Sequence, residues 1–261
     1  MRLHRTPLPL CASPAGFLAL TIGWLSAVAA TGVIDAVTLF RKADPAVVVI
    51  LALDESGRSL RQGSGFIVNG GAAIITNYHV IAAAAAVAVK TSAGDTFPVT
   101  TALSIDEETD IAVLRTEVPR PLVTLQLADS SLVKVGEDVA AIGSPQGLEN
   151  TISTGIVSGL RNLSDKLSYI QMTAPISPGS SGGPLLNANG EVIGITTFLV
   201  GGGQNLNFCI PINYAKRMLS RPKPVTLVAL ARGQGNTSNL LGLWTYDTIC
   251  HSRQRAQPAQ S

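Results

Sequence analysis

Histidine is nearly absent from this chain: His4, His79 and His251 are the only three in 261 residues, and two of them lie close to the ends. A histidine-based zinc centre needs several imidazoles converging on one ion, so such a site within the chain is excluded. Cysteine is as scarce. Cys11, Cys209 and Cys250 include no CxxC pair, which removes thioredoxin-like redox motifs and zinc ribbons. A Cys209–Cys250 disulfide is open to an exported chain, and so are two free thiols. Charge is thin as well, with 14% of residues charged and a formal net charge of +2. No run of Lys or Arg could neutralise a row of phosphates, so nucleic acid is not an expected partner.

Glycine and proline are plentiful, at 25 and 15 residues, and 46% of the chain is hydrophobic. That is the composition of a turn-rich globular protein, long enough for one large domain or two modest ones. The first 34 residues have a different character. Arg2 and Arg5 open a segment with no further Asp, Glu, Lys or Arg before Asp35, and Ala15–Ile34 forms an apolar run of 20 residues. Such a run is long enough to span a bilayer as a helix. Ala27-Val28-Ala29 also fits a signal-peptidase site, so residues 1–34 read as a signal peptide or a retained membrane anchor. Either reading leaves the positive flank inside and puts residues 35–261 outside the cytoplasm, in the periplasm or anchored to the outer face of the cytoplasmic membrane.

Beyond residue 45 the pattern is of short β-type runs: 46–53, 65–68, 73–76, 139–142, 152–157, 167–173, 191–198 and 205–210. Turn residues separate most of them, which argues for an all-β barrel or sandwich. Helical patterns are confined to 80–87, including the pentaalanine Ala82–Ala86, and to 212–219. Residues 222–261 open on Arg221-Pro222-Lys223-Pro224 and carry one apolar island at 240–246, too little chain for an ordinary independent domain.

Chemistry concentrates in three places. The nonapeptide Ser177-Pro178-Gly179-Ser180-Ser181-Gly182-Gly183-Pro184-Leu185 has three glycines and two prolines, so it suits neither helix nor strand and must be a tight loop. A serine there can present its hydroxyl together with adjacent backbone N–H groups, as a nucleophile with an oxyanion hole requires. Thr76-Asn77-Tyr78-His79 supplies the one central imidazole, and Thr109-Asp110-Ile111-Ala112 supplies a carboxylate. Ser181 would attack, His79 would take its proton, and Asp110 would hold the imidazole tautomer. Gly179, Ser180 and Ser181 would form the oxyanion turn. Each residue alone has a structural explanation, but three such residues in the order His, Asp, Ser form one constellation.

The chain resembles the trypsin-like serine proteases of the HtrA/Deg type, within the chymotrypsin-fold superfamily. The resemblance runs from about Leu39 to Leu219. It is carried by Gly63-Ser64-Gly65-Phe66, Ile74-Ile75-Thr76-Asn77-Tyr78-His79, Thr109-Asp110-Ile111-Ala112-Val113-Leu114, Ile142-Gly143-Ser144-Pro145, Gly155-Ile156-Val157-Ser158-Gly159, the serine loop, and Asn205-Leu206-Asn207-Phe208. It implies two six-stranded antiparallel barrels, about 43–125 and 126–211, a short C-terminal helix, and a cleft between the barrels. His79 and Asp110 would come from the first barrel and Ser181 from the second. Ser180 replaces a frequent Asn of the family, and Cys209 a small Ala. The resemblance also implies no PDZ domain in the remaining chain, and trimerisation through Asp35–Lys42, where Leu39-Phe40 could serve.

Specificity is expected from Ala174, Pro175, Ile176 and Ser177 on one wall, from Ile195, Thr196, Thr197 and Phe198 on another, and from a switchable loop at 199–205. None of these residues is acidic, so a pocket for Lys or Arg is not expected and a small or medium aliphatic residue is. The expected function is a serine endopeptidase acting on unfolded or damaged extracytoplasmic proteins, without a cofactor. The alternative is a catalytically silent peptide-binding or chaperone-like protein on the same fold. An esterase of the α/β-hydrolase type is disfavoured, because its Ser, Asp, His order is reversed here.

Overall fold

The computed structural model describes residues 34–116, 121–144, 150–162, 167–199 and 206–233. Helix α1 (Ala36–Ala43) leads into fourteen strands: β1 (Val47–Leu53), β2 (Ser59–Val68), β3 (Ala73–Asn77), β4 (Ala86–Thr91), β5 (Thr96–Val99), β6 (Thr101–Asp106), β7 (Ile111–Arg115), β8 (Asp138–Gly143), β9 (Thr151–Asn162), β10 (Ser168–Met172), β11 (Pro184–Leu186), β12 (Val192–Leu199), β13 (Asn207–Pro211) and β14 (Val225–Thr226). The other helices are α2 (Tyr78–Ile81), α3 (Ile212–Ser220) and α4 (Leu227–Gly233). The expected targeting segment lies outside the described residues, apart from Ile34 at its end. Among the described residues no helix is long and apolar enough to cross a membrane.

The strands sort into two sheets. β10-β13-β12-β11-β8-β9 form a closed six-stranded barrel, as expected for the second half. The first half is an open eight-stranded sheet ordered β14-β6-β7-β3-β2-β1-β4-β5. It differs from the six-stranded closed barrel expected. Pro98 in β5 has no N–H to offer a further strand, which suits it to an edge. At the opposite edge β14 adds itself to β6, with Val225 opposite Ala102.

The apolar run that starts at Val47 becomes a central strand because both of its edges are paired. Val47 faces Phe66 and Ile50 faces Gly63 on β2, while Ile50 faces Val89 on β4. A turn closes β1 onto β2. Asp54 Oδ1 accepts from the N–H groups of Ser56 at 2.8 Å and Arg58 at 2.9 Å, and Gly57 follows at φ +81°. The Ser56 hydroxyl, donating to the same oxygen at 2.6 Å, leads these bonds and the Arg58 side chain in holding the Asp54 carboxyl down at about 2.

Three readings of local structure change. The alanines after His79 do not form a helix. α2 stops at Ile81, Ala83 takes φ +63°, and the Ala85 N–H donates to the Leu53 carbonyl at 2.8 Å, leading the chain into β4. Packing overrides the helix propensity of alanine, since Ala84 is fully buried and Ala85 nearly so. Leu39 of α1 is buried in the chain's own core, so of the neighbouring apolar side chains Val37 is the exposed one. Finally, part of the C-terminal segment belongs to the first sheet. The Lys223 N–H donates to the Leu103 carbonyl at 2.7 Å, the Leu227 N–H donates to Thr100 at 2.9 Å, and Leu227 is fully buried. The apolar island at 240–246 lies outside the described residues.

Cys209 is buried in the barrel, its Sγ 3.6 Å from Met172 Sδ, and burial pushes the thiol well above its ordinary range. Cys250 lies outside the described residues.

Candidate active site

Two left-handed glycines and one proline shape the serine loop. The Ser180 N–H donates to the Ser177 carbonyl at 2.9 Å, with Pro178 second in the turn and Gly179 third at φ +98°. Proline followed by a positive-φ glycine is the signature of a type II turn. Ser180 is nearly buried and its Oγ accepts from the Ser177 N–H at 3.4 Å, which ties the turn from inside.

The residues after Ser181 are glycines because backbone presses on them from both sides. A Cβ on Gly182, at φ +88°, would stand 2.2 Å from the Ser64 carbonyl oxygen; one on Gly183 would stand 2.2 Å from that of Ile142. The loop is pinned between sheets. The Ser64 N–H donates to the Ser181 carbonyl at 2.8 Å, and the Gly182 N–H donates to Thr196 at 2.8 Å. Ser64 Oγ donates to the Gly179 carbonyl at 2.7 Å and accepts from the Ser144 N–H at 2.9 Å, so one hydroxyl links the turn to both sheets.

His79 lies in α2, immediately after β3. Asp110 precedes β7, which pairs with β3. Their contact is double: His79 Nδ1 lies 2.8 Å from Asp110 Oδ2, and the His79 N–H donates to Oδ1 at 2.8 Å. The His79 side chain is 43% exposed and that of Asp110 11%, so the imidazole meets solvent while its partner is sheltered. Asp110 holds φ +55°, a conformation that Asp tolerates better than most residues. Two donors grip its carbonyl there: the Tyr78 N–H at 3.1 Å and Asn77 Nδ2 at 2.9 Å.

Thr197 ties the serine to this pair. Its Oγ1 donates to Asp110 Oδ2 at 3.1 Å, while its carbonyl accepts from Ser181 Oγ at 2.8 Å. The structure thus brings His79 and Asp110 into contact and links Ser181 to the same carboxylate through one residue. The Ser181 proton points at Thr197 rather than at the imidazole.

The expected pocket residues divide. Ala174, Ile195 and Thr196 are fully buried, and Thr196 Oγ1 bonds to the Gly183 carbonyl at 3.1 Å. Pro175, Ile176 and Ser177 line a small depression with Ser180, Thr151 and Ser153. The Phe198 side chain and residues 200–205 lie outside the described residues. Sequence reasoning put Thr197 on the pocket wall and did not single out its hydroxyl, nor the roles of Asn77 and Ser64. No periodicity or motif marks a threonine whose two ends bond two different loops.

Residues 63–195 match the trypsin-like peptidase domain. The chain belongs to the trypsin-like peptidase family. It is 42% identical over 192 residues to bovine "Serine protease HTRA2, mitochondrial", a match covering 69% of this chain and 41% of that protein. To "Putative serine protease HhoA" of Synechocystis it is 43% identical over 163 residues, covering 59% of this chain and 41% of the relative. Among solved structures it is similar to the serine endoprotease from Yersinia pestis, with TM-score 0.62 and 30% identity over 73% of this chain and 65% of that one. An HtrA-type protease solved with a tripeptide gives TM-score 0.64 and 32% identity over 70% and 62% of the two chains. The chain spans about two fifths of the length of the curated relatives it matches.

Proposed function

We propose that this protein is an HtrA-type serine endopeptidase that cleaves unfolded or damaged polypeptides outside the cytoplasm. The observation that carries the reading is the double anchor of His79 on Asp110, with Ser181 bonded to the same Thr197 that donates to that carboxylate. In the first step the Ser181 hydroxyl rotates off the Thr197 carbonyl and gives its proton to His79 as Oγ attacks the peptide carbonyl. Asp110 fixes the ring tautomer and stabilises the imidazolium. The N–H groups of Gly179 and Ser181 donate to no backbone carbonyl among the described residues, which leaves both for the tetrahedral oxyanion. His79 then protonates the leaving amine, and water repeats the cycle on the acyl-enzyme.

Pro175, Ile176 and Ser177 would help select a small or medium aliphatic residue before the cleaved bond. The location follows from the basic start and apolar run of residues 1–34. A trimer formed through Asp35–Lys42 would rest on Val37, because Leu39 is committed to the core and Phe40 packs against it.

A second reading has its own support: with its hydroxyl donating to the Thr197 carbonyl, Ser181 is not engaged with its base. A peptide-binding protein without turnover would keep that state. Hydrolysis of an unfolded reporter such as reduced casein, compared with Ser181→Ala, separates the two. Fragments released by the wild-type protein and absent with the variant support the peptidase; equal binding with no fragments supports the silent alternative.

A further inference from the structure

Arg61 lies on β2, two residues before Gly63, so the two side positions share one face of the strand. A Cβ at Gly63 would stand 2.7 Å from a Val80 methyl and 3.0 Å from the Ser181 carbonyl oxygen, which places this face against α2 and the serine loop. From there Arg61 is half-buried and its Nη1 donates to the His79 carbonyl at 2.7 Å. Its Nε–Nη2 edge has no protein partner among the described residues, and no carboxylate there lies within ion-pairing distance. The free edge of this half-buried guanidinium is the fork that receives a carboxylate bidentately.

On the peptidase reading, the geometry also assigns a side of the cleft. His79 delivers a proton to the leaving amine, so the polypeptide beyond the cleaved bond must pass on the imidazole side of Ser181. Arg61 is bonded to the main chain of that same histidine, and its strand face, at Gly63, abuts the Ser181 carbonyl. We infer that Arg61 forms a subsite for an acidic side chain in the leaving half of the substrate, within the first few residues after the cleaved bond. The inference rests on the peptidase reading for which half of the substrate is bound.

The test uses the purified protein and quenched peptides with one fixed half before the cleaved bond. After it, Asp or Glu is compared with Asn or Gln at each of the first three positions. At one position or more, kcat/KM should favour the acid over its amide by about tenfold. Arg61→Gln should collapse that ratio, and Arg61→Glu should transfer the preference to a Lys peptide. An Arg61 that merely braced the His79 carbonyl would lower both peptides together and leave the ratio intact. A wild-type ratio near one at all three positions overturns the inference. Fluorophosphonate reactivity of Ser181 reports separately on the peptidase reading. If that fails, fluorescence polarisation of the same peptides on Ser181→Ala decides: a preference for acid lost in Ser181→Ala/Arg61→Gln upholds the subsite, and equal affinities overturn it.

Discussion

Thr197→Val keeps the shape of the side chain and the carbonyl that receives the Ser181 proton, and removes only the hydroxyl aimed at Asp110. That hydroxyl donates at 3.1 Å to a carboxylate whose side chain is 11% exposed. A hydrogen bond to a charged acceptor contributes about 1.5–3 kcal/mol, and water has little access here to replace it. If the full contribution is also felt when imidazolium forms, kcat falls by about 10- to 100-fold, since each 1.36 kcal/mol is a factor of ten. Stability falls by a similar energy, a drop in Tm of roughly 3–10 °C for a domain of this size. KM should change little, because the lost group faces Asp110. Thr197→Ser retains the hydroxyl and should retain most of the rate. Peptide hydrolysis and thermal denaturation of the three proteins provide the comparison. A valine variant with unchanged kcat, or a serine variant as impaired as valine, would refute the claim that this hydroxyl helps hold the candidate base in place.

Gly182→Ala should abolish Ser181 reactivity and destabilise by more than about 2 kcal/mol in urea unfolding. A left-handed Cβ alone costs about 1–2, and this one would also stand 2.2 Å from the Ser64 carbonyl. Gly57→Ala, at φ +81° but with nothing within 4 Å, should show the conformational cost alone. Leu227→Ala should lower the urea midpoint by an energy of about 2–5 kcal/mol, and no change would mean that β14 and α4 are not docked in solution. Tyr169 is pushed up to about 12, first by burial and then by the Asp110 and Tyr214 charges. Its raised folded value gives stability that is complete below the unfolded value near 10 and is lost as pH rises from there to about 12, by about 3 kcal/mol. Stability measured from pH 9 to 12 should therefore fall less steeply in Tyr169→Phe; parallel curves would contradict this.

Much of the site was legible because its parts are short motifs with strong local rules. Pro178-Gly179 dictates a turn, Gly182-Gly183 marks close backbone approach, and His79 stood out through the rarity of histidine. The second barrel was legible for a similar reason: β8, β10, β12, β13 and part of β9 hold short β-type runs between turn residues. The first sheet was harder. β4 begins within an alanine run whose helix propensity pointed the wrong way, and β14 is two residues long, defined only by the strand it completes. Thr197, Asn77 and Ser64 were illegible in their roles because each acts on residues at least 16 positions away. Such bonds exist only once the sheets are assembled.

The most direct measurement is labelling of the purified protein with a fluorophosphonate, with the adduct located by mass spectrometry and Ser181→Ala and His79→Ala alongside. The account predicts stoichiometric modification at Ser181, absent in the alanine variant at 181 and slowed by orders of magnitude in that at 79. A folded wild-type protein that takes up no label at Ser181 would contradict an assembled triad and return the chain to the peptide-binding reading.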